Sequence, residues 1–324
     1  MLIFQFAMFV SCILHLVSTL NFEPMKDIKF QRVAIIGVGL IGGSFALALK
    51  KKGFNGTIIG IGRKKENIIK AKDLGVIDEF STEPAEGVKD ADLILLATPV
   101  GQFSEIIEEI RNHIKPGSIV TDVGSVKAEI IKELKKLMPE GVSFVGAHPI
   151  AGKECSGVNA ASPDLFNNTR CIITPDENTD KTALEKVFEL WNTLGAKTVL
   201  MSPDEHDAIF AAVSHLPHVL AYVLINAIMD LNETILPHGG RGLRDMTRIA
   251  LSPPELWRDI CHYNKEHILK SLDCFLSSIS HVKKLIENSD WDNLEKEFEK
   301  AKTGRAQLDS EKANPLAQAN RQRR

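Results

Sequence analysis

His148 sits in the segment Gly146-Ala-His-Pro-Ile-Ala-Gly152, where Pro149 stiffens the backbone behind it and Gly152 leaves room for something to approach. An imidazole with a pKa near about 6.5 can take a hydroxyl proton at neutral pH, so His148 reads as a general base or, more plainly, as a structural histidine at a strand end. Ser125, in Asp122-Val-Gly-Ser-Val-Lys127, follows an apolar strand and offers a hydroxyl in a loop. The competing reading is a helix cap, in which the serine satisfies backbone N–H groups. His215 and His218, in Ser214-His-Leu-Pro-His218, are spaced i, i+3 and could face one way. That spacing also suits a metal, but no Glu or Cys stands at a matching distance, and no metal is expected. Arg241, Arg244 and Arg248 stand in Gly239-Gly-Arg-Gly-Leu-Arg-Asp-Met-Thr-Arg248, the locally cationic stretch of a nearly neutral chain. Arginine forks match carboxylates, so an anionic substrate is indicated, against the alternative of a solvated basic loop.

Such residues need elements that bring them to one place, and the strongest of these lies near the amino terminus. Val33 to Ser44 reads VAIIGVGLIGGS, an apolar strand that runs into a GxGxxG turn and then an apolar-periodic helix. Gly37 permits the tight turn, Gly39 lets backbone approach a pyrophosphate, and Gly42 lets the helix pack on its strand. The N–H groups of Leu40, Ile41 and Gly42 then face the phosphates at the positive helix end. A second β-branched run, Thr57 to Ile61, follows at βαβ distance, so the motif stands in the context it needs. NAD-binding units usually place an acid after this strand to bond the ribose 2′-OH, whereas here the run is Ile61-Gly-Arg-Lys-Lys65. Gly62 removes the carboxylate and Arg63, with Lys64 or Lys65, can pair a 2′-phosphate, so NADP is expected to be accepted at least as well as NAD.

Beyond the grip the pattern alternates. Helices are expected near Leu40 to Lys50, Lys64 to Leu74, Gln102 to His113, Lys127 to Met138 and Thr182 to Leu194. Strands are expected at Arg32 to Val38, Asp92 to Thr98, Ser118 to Val123, Ser143 to Ala147, Arg170 to Thr174 and Thr198 to Met201. This predicts an α/β fold: an N-terminal Rossmann doubly wound parallel sheet over 30–201, then a C-terminal all-helical dimerisation and substrate domain over 202–306. Ser202 and Asp204 are candidate caps at the change of character, with helical periodicity over Asp204 to Asn232, Pro254 to Ile286 and Trp291 to Thr303. Ala208 to Met229 is apolar on more than one face, which predicts burial against another subunit. The polar tail over 307–324 is expected to be disordered.

Composition narrows the partners. The chain has 324 residues and a formal net charge of -3, with no basic stripe, which argues against nucleic acid. Its five cysteines form neither a CxxC pair nor a metal spacing and read as reduced thiols of a cytoplasmic protein. Residues 1–20 are nearly all apolar, but no Lys or Arg precedes Lys26, so a secretory signal or membrane anchor fits poorly. The expectation is that Met25 is the start, that 1–24 is an apolar leader foreign to the native protein, and that no membrane is involved.

In order along the chain, VGLIGGS, LATPV, DVGSVK, AHPIAG, SHLPH, RDMTRIA and ELWRDI resemble the prephenate/arogenate dehydrogenase family of tyrosine biosynthesis over about Arg32 to Ile286. The resemblance implies an enzyme that transfers hydride to NAD or NADP while prephenate or arogenate loses carbon dioxide, and a homodimer formed through the helical domain. It implies that His148 takes the proton of the ring hydroxyl, and that Ser125 orients His148 and contacts substrate and nicotinamide. Thr98 and Pro99 fall in the cofactor-binding LATPV segment. His218 and Arg248 match substrate-binding residues, while Glu154, Asp245 and Trp257 fall where family members place a gating network around the arginine. Arg241 departs from the uninterrupted glycine-rich turn expected there. A β-hydroxyacid dehydrogenase, with a lysine as its acid/base, fits the His148 and Ser125 segments poorly. A non-catalytic nucleotide-sensing dimer would keep the glycines but would not need His148 and Arg248 together.

Overall fold

The computed structural model describes residues 30–152 and 155–308. The expected leader, Glu154 and positions 309–324 of the expected tail lie outside them. Eight strands form one sheet: β1 (Arg32–Ile36), β2 (Thr57–Ile61), β3 (Glu79–Ser81), β4 (Leu93–Leu96), β5 (Ile119–Asp122), β6 (Ser143–Pro149), β7 (Arg170–Thr174) and β8 (Lys197–Leu200). Their order is β3-β2-β1-β4-β5-β6-β7-β8. The first six run parallel, and the order reverses between β1 and β4, which opens a crevice at their carboxyl ends. β1 and β4 are almost wholly buried, as the branched apolar runs VAII and LILL require of strands covered on both faces.

Three features differ from expectation. β7 is antiparallel to β6, so the sheet is mostly rather than wholly parallel. β3 and the short helix α3 (Pro84–Gly87) were not expected, because an edge strand of three residues is too short to show a period. Finally, β6 continues two residues past Ala147, since the β7 register pairs His148 with Ile172 and Pro149 with Cys171. His148 therefore sits within a strand, held by a ladder, rather than just beyond one.

Helices α1 (Leu40–Lys51), α2 (Lys65–Asp73), α4 (Phe103–Ile110), α5 (Ala128–Leu137) and α6 (Lys181–Thr193) connect these strands. The core beneath α1 and α6 is built on Trp191, which meets Phe45 and Phe166 edge-on at ring centroid distances of 5.3 Å and 5.1 Å. Past β8, Ser202 caps α7 (Pro203–Phe210) by accepting from Glu205 N at 3.2 Å, with Pro203 at the first helical position. Asp204 lies in the first turn and is not the cap. A π-turn, Ala211–His215, leads into α8 (Leu216–Leu231). Within this chain Ala221 alone of α8 is buried, which leaves the rest of its apolar surface for the second subunit its composition suggested. The arginine segment is not a loop either: it forms α9 (Arg241–Thr247), then a 3-10 turn at Arg248–Leu251, then α10 (Pro254–Tyr263).

Residues from Glu266 onward form a separate compact unit. It contains α11 (Lys265–Glu287) from its second residue onward and α12 (Trp291–Leu308), joined by a turn in which Ser289 has φ 53° and Asp290 accepts from Asn293 N at the start of α12. Helix α12 reaches Leu308, so Gln307 and Leu308 are helical rather than part of a disordered tail.

Candidate active site

The crevice begins with the glycines. Gly37 has φ 99°, and a side chain there would strike the Ala97 carbonyl at 2.6 Å; its N–H donates to Ile61 O at 2.9 Å. A Cβ on Gly42 would stand 2.2 Å from the Gly37 carbonyl, so close packing of α1 on β1 forbids one. Gly39 differs, since a Cβ there would meet nothing within 4 Å and the space in front of its backbone is open. No acid stands in the first turn of α1, and no side chain caps it. Leu40, Ile41 and Gly42 thus offer first-turn N–H groups, which no residue of their own helix can satisfy, beside a glycine-lined cradle that fits a pyrophosphate. Thr98 and Pro99 follow β4 across the cradle, with the Thr98 methyl 3.0 Å from where a Gly37 Cβ would be. Gly62 follows β2 where an acid would be expected, and Arg63, Lys64 and Lys65 behind it are exposed. The residues present therefore fit a dinucleotide, with a cationic ribose end.

The neighbouring strand ends carry a buried polar network. Lys127 and Asp122 are both fully buried and form an ion pair. Lys127 Nζ also donates to Ala147 O at 2.9 Å, and Asp122 accepts from Gly124 N at 2.8 Å and Ala147 N at 3.0 Å. A buried pair of this kind persists because its remaining valences are satisfied, and here it locks the end of β5 to the residue preceding His148. Ser125 occupies the loop between them, half-buried. It does not cap α5. The N–H groups of Lys127 and Ala128 both donate to Asp207, at 2.8 Å each, a cap supplied from α7 about eighty positions away. This removes the reading of Ser125 as a helix cap.

His148 meets this cap through a second imidazole. Its Nδ1 lies 2.8 Å from His206 Nε2, and His206 Nδ1 lies 2.8 Å from Asp207 Oδ1. Phe210, one turn beyond His206, stacks on it at 4.5 Å and tilts against His148 at 4.8 Å. Burial first, then the repulsion a protonated His148 would meet from His206, Lys127 and His215 in their charged forms, holds the His148 pKa well below the ordinary histidine value. Burial does the same to His206. Both imidazoles are therefore neutral at neutral pH, as a proton acceptor must be.

His215 and His218 do converge, on Trp257. His218 stacks on that ring at 3.7 Å and His215 meets it edge-on at 6.0 Å. His218 Nδ1 donates to the Ser214 carbonyl at 2.9 Å, which leaves its Nε2 as an acceptor while the ring is neutral. His215 is fully buried, accepts at Nδ1 from Asn264 Nδ2 at 3.0 Å, and has its pKa lowered to about 4, chiefly by burial. Asn264 also donates to Asp207 O at 2.8 Å, so this amide ties His215 to the same helix that bears His206. No cluster of three metal-ligating side chains occurs among the described residues. Burial first, and then the charge of the exposed Arg248, lower the His218 pKa. Asp245 is exposed and pairs with Arg241 at 3.5 Å within α9. His206, Asp207 and Asn264 were not singled out from sequence. Acids at a helix start look like first-turn charges, and a cap delivered to a distant helix leaves no local signature.

A sheet whose order reverses beside a glycine cradle, with a neutral, half-buried imidazole at the carboxyl end of a strand and a cationic helix further along the chain, defines a dinucleotide-dependent dehydrogenase acting on an anionic substrate. The family model for the prephenate dehydrogenase nucleotide-binding domain matches 45–200, and that for the prephenate dehydrogenase dimerization domain matches 202–300. The chain is 40% identical over 285 residues to a prephenate dehydrogenase of Bacillus subtilis, covering 86% of this chain and 76% of that one. The structure of prephenate dehydrogenase from A. aeolicus with hydroxyphenyl propionate and NAD+ superposes with a TM-score of 0.83 at 38% identity, covering 88% of this chain and all of that one. Synechocystis arogenate dehydrogenase superposes at 0.72 and 30% identity, covering 86% and 99%. The chain belongs to the prephenate dehydrogenase family.

Proposed function

We propose that the protein oxidises prephenate to 4-hydroxyphenylpyruvate with loss of carbon dioxide, in tyrosine biosynthesis in the cytoplasm. The observation that carries this reading is the neutral, half-buried His148 at the carboxyl end of β6, next to the Ser125 loop. A bound NAD or NADP supplies the hydride acceptor. The ring hydroxyl gives its proton to His148 as hydride leaves the same carbon, which becomes a carbonyl. The bond to the ring carboxylate then breaks, its electron pair enters the conjugated ring, and carbon dioxide departs. Aromatisation makes the sequence irreversible. The chain's task is to place the ring, exclude water and remove one proton, which suits orientation and general base catalysis.

Ser125 contacts substrate and nicotinamide and helps to seat His148. His218 and Arg248 hold the substrate anion, with Trp257 backing His218 and with Glu154 and Asp245 gating access to the arginine. Gly37, Gly39, Leu40, Ile41, Gly42, Arg63, Thr98 and Pro99 hold the cofactor. The catalytic crevice is carried by 30–201, and 202–306 completes the substrate site and pairs two chains. The Synechocystis relative supports arogenate as the second candidate substrate, which differs by a side-chain amino group. The full chain mixed with NAD or NADP is expected to reduce the cofactor rapidly on addition of prephenate, followed by absorbance. Faster reduction with arogenate would exchange the two substrates. Silence with both, despite measured nucleotide binding, would overturn the assignment in favour of a nucleotide-sensing dimer or another hydroxyacid.

A further inference from the structure

The hydrogen-bond chain behind His148 has a direction. Asp207 is the fixed point, because Oδ1 already faces Lys127 N and Oδ2 faces Ala128 N, both at 2.8 Å, and a backbone N–H can only donate. Burial raises the Asp207 pKa, but these two contacts favour the carboxylate, which accepts only, so His206 must carry its proton on Nδ1, 2.8 Å away. In a neutral ring Nε2 is then a lone pair. Its partner at 2.8 Å, His148 Nδ1, must be the donor. A neutral His148 with its proton on Nδ1 has its lone pair on Nε2. We propose that His206 and Asp207 are positioning residues for the base: they fix the His148 tautomer with Nδ1–H donated to His206 and present Nε2 to the substrate hydroxyl. This inference rests on the dehydrogenase reading for its kinetic consequence but not for the tautomer itself.

The same chain serves the transition state. When Nε2 takes the hydroxyl proton, the ring becomes an imidazolium whose Nδ1–H is already bonded, and His206 passes the influence of the Asp207 charge to it without giving up a proton. Lys127, fully buried nearby, opposes that charge, and Asp122 neutralises Lys127. His215, on the π-turn, adds no charge while neutral. The arrangement leaves a base that is unprotonated in the resting protein yet supported when it becomes charged, a division of labour that suits a general base. Asp207 does two things at once, since the carboxylate that orients His206 also caps the helix that starts just after Ser125. The base and the serine loop are therefore held by one side chain.

The test has two arms. Long-range 1H–15N correlation on the full chain labelled in histidine should show His148 protonated at Nδ1 and unprotonated at Nε2, with that pattern lost in His206→Leu. This readout does not depend on any substrate. With prephenate and cofactor, His206→Leu should lower kcat by about 10²-fold with KM changed less than about threefold, since a positioned base contributes about 10²–10⁴-fold. The acidic limb of kcat/KM should also move. His148 works only when neutral, so activity falls as pH falls through its pKa; without an acceptor for Nδ1–H the imidazolium is less stable and the limb shifts to lower pH. His206→Gln, whose side-chain oxygen reaches the place of Nε2, should recover at least tenfold of the lost kcat over the leucine variant. A His148 protonated at Nε2 in the parent would overturn the proposal, as would a His206→Leu protein with unchanged kcat and an unmoved acidic limb. If the tautomer is found but prephenate is not oxidised, the functional reading fails and the positioning role stands.

Discussion

Arg63 bears on a question that the fold leaves open, the choice between the two nicotinamide cofactors. The cradle of Gly37, Gly39 and Gly42 fits the pyrophosphate common to both nicotinamide cofactors, so discrimination would fall to the residues beyond β2. There the chain has Gly62, then three exposed cations. Cations at the start of α2 are unfavourable to the helix itself, whose N-terminal end already carries partial positive charge. Their presence makes sense if they face a 2′-phosphate, an anion worth a charge-assisted pair to an arginine fork. Arg63→Ala should raise KM for NADP by about tenfold, about 1.4 kcal/mol, and leave that for NAD within a factor of two. Steady-state kinetics with both cofactors checks it. A parent enzyme that uses NAD as well or better, with no change in the ratio on substitution, would make Arg63 a surface charge. This site is legible from sequence because it is local: a missing acid after a strand. The histidine network is less legible. His148 and His218 announce themselves beside prolines, but His206 reads as one polar residue in a helix start, and its meaning depends on a partner fifty-eight positions away.

At the scale of elements, the glycine turn separates packing from binding. Gly42 and Gly39 share one motif but fail differently when filled. A Cβ at Gly42 meets backbone at 2.2 Å, which cannot yield, so Gly42→Ala should destabilise the fold by about 1–3 kcal/mol through overpacking. Gly39 has φ -95°, open to any residue, and no neighbour within 4 Å. Gly39→Ala should therefore melt within a few degrees of the parent yet bind the cofactor at least tenfold more weakly, because its methyl occupies the approach to the pyrophosphate. Thermal unfolding and nucleotide titration of the two variants check this; equal stability losses would mean that Gly39 is a packing glycine too. Most elements could be read within a residue or two, because buried strands and amphipathic helices show their period. What could not be read is tertiary. The antiparallel β7 extends β6 to include His148, and the π-turn at Ala211–His215 is a wider coil that no apolar spacing shows. The glycines near Arg241 suggested a loop, yet α9 forms there, since neither Gly239 nor Gly240 requires a left-handed backbone.

For the whole molecule, the unburied apolar surface is the datum that demands an occupant. On the stretch 203–231, Ile209, Val213, Val223, Met229 and Leu231 are exposed, Leu231 by 79%. In the separate unit after Lys265, Leu269, Leu276, Ile279, Ile286 and Phe298 are exposed as well. A monomeric soluble protein seldom leaves so much large apolar side chain in water. Two covers would satisfy it. The 203–231 helix is long and apolar enough to cross a membrane by length and composition. Yet it bears His206, Asp207 and His218, whose partners are Lys127, His148 and Trp257, and a helix bonded into a polar site cannot also sit in lipid. A second copy of the chain meets no such conflict, and the family's dimerization domain covers this segment. The full chain should therefore sediment at twice its 35.8 kDa mass. Val223→Glu, which places a charge on the exposed face of α8 away from the histidines, should shift the equilibrium toward single chains while nucleotide binding persists. Sedimentation velocity over a range of concentrations checks both. A parent that runs as a single chain, or that floats with vesicles instead of pairing, would show that something other than its own copy covers this face.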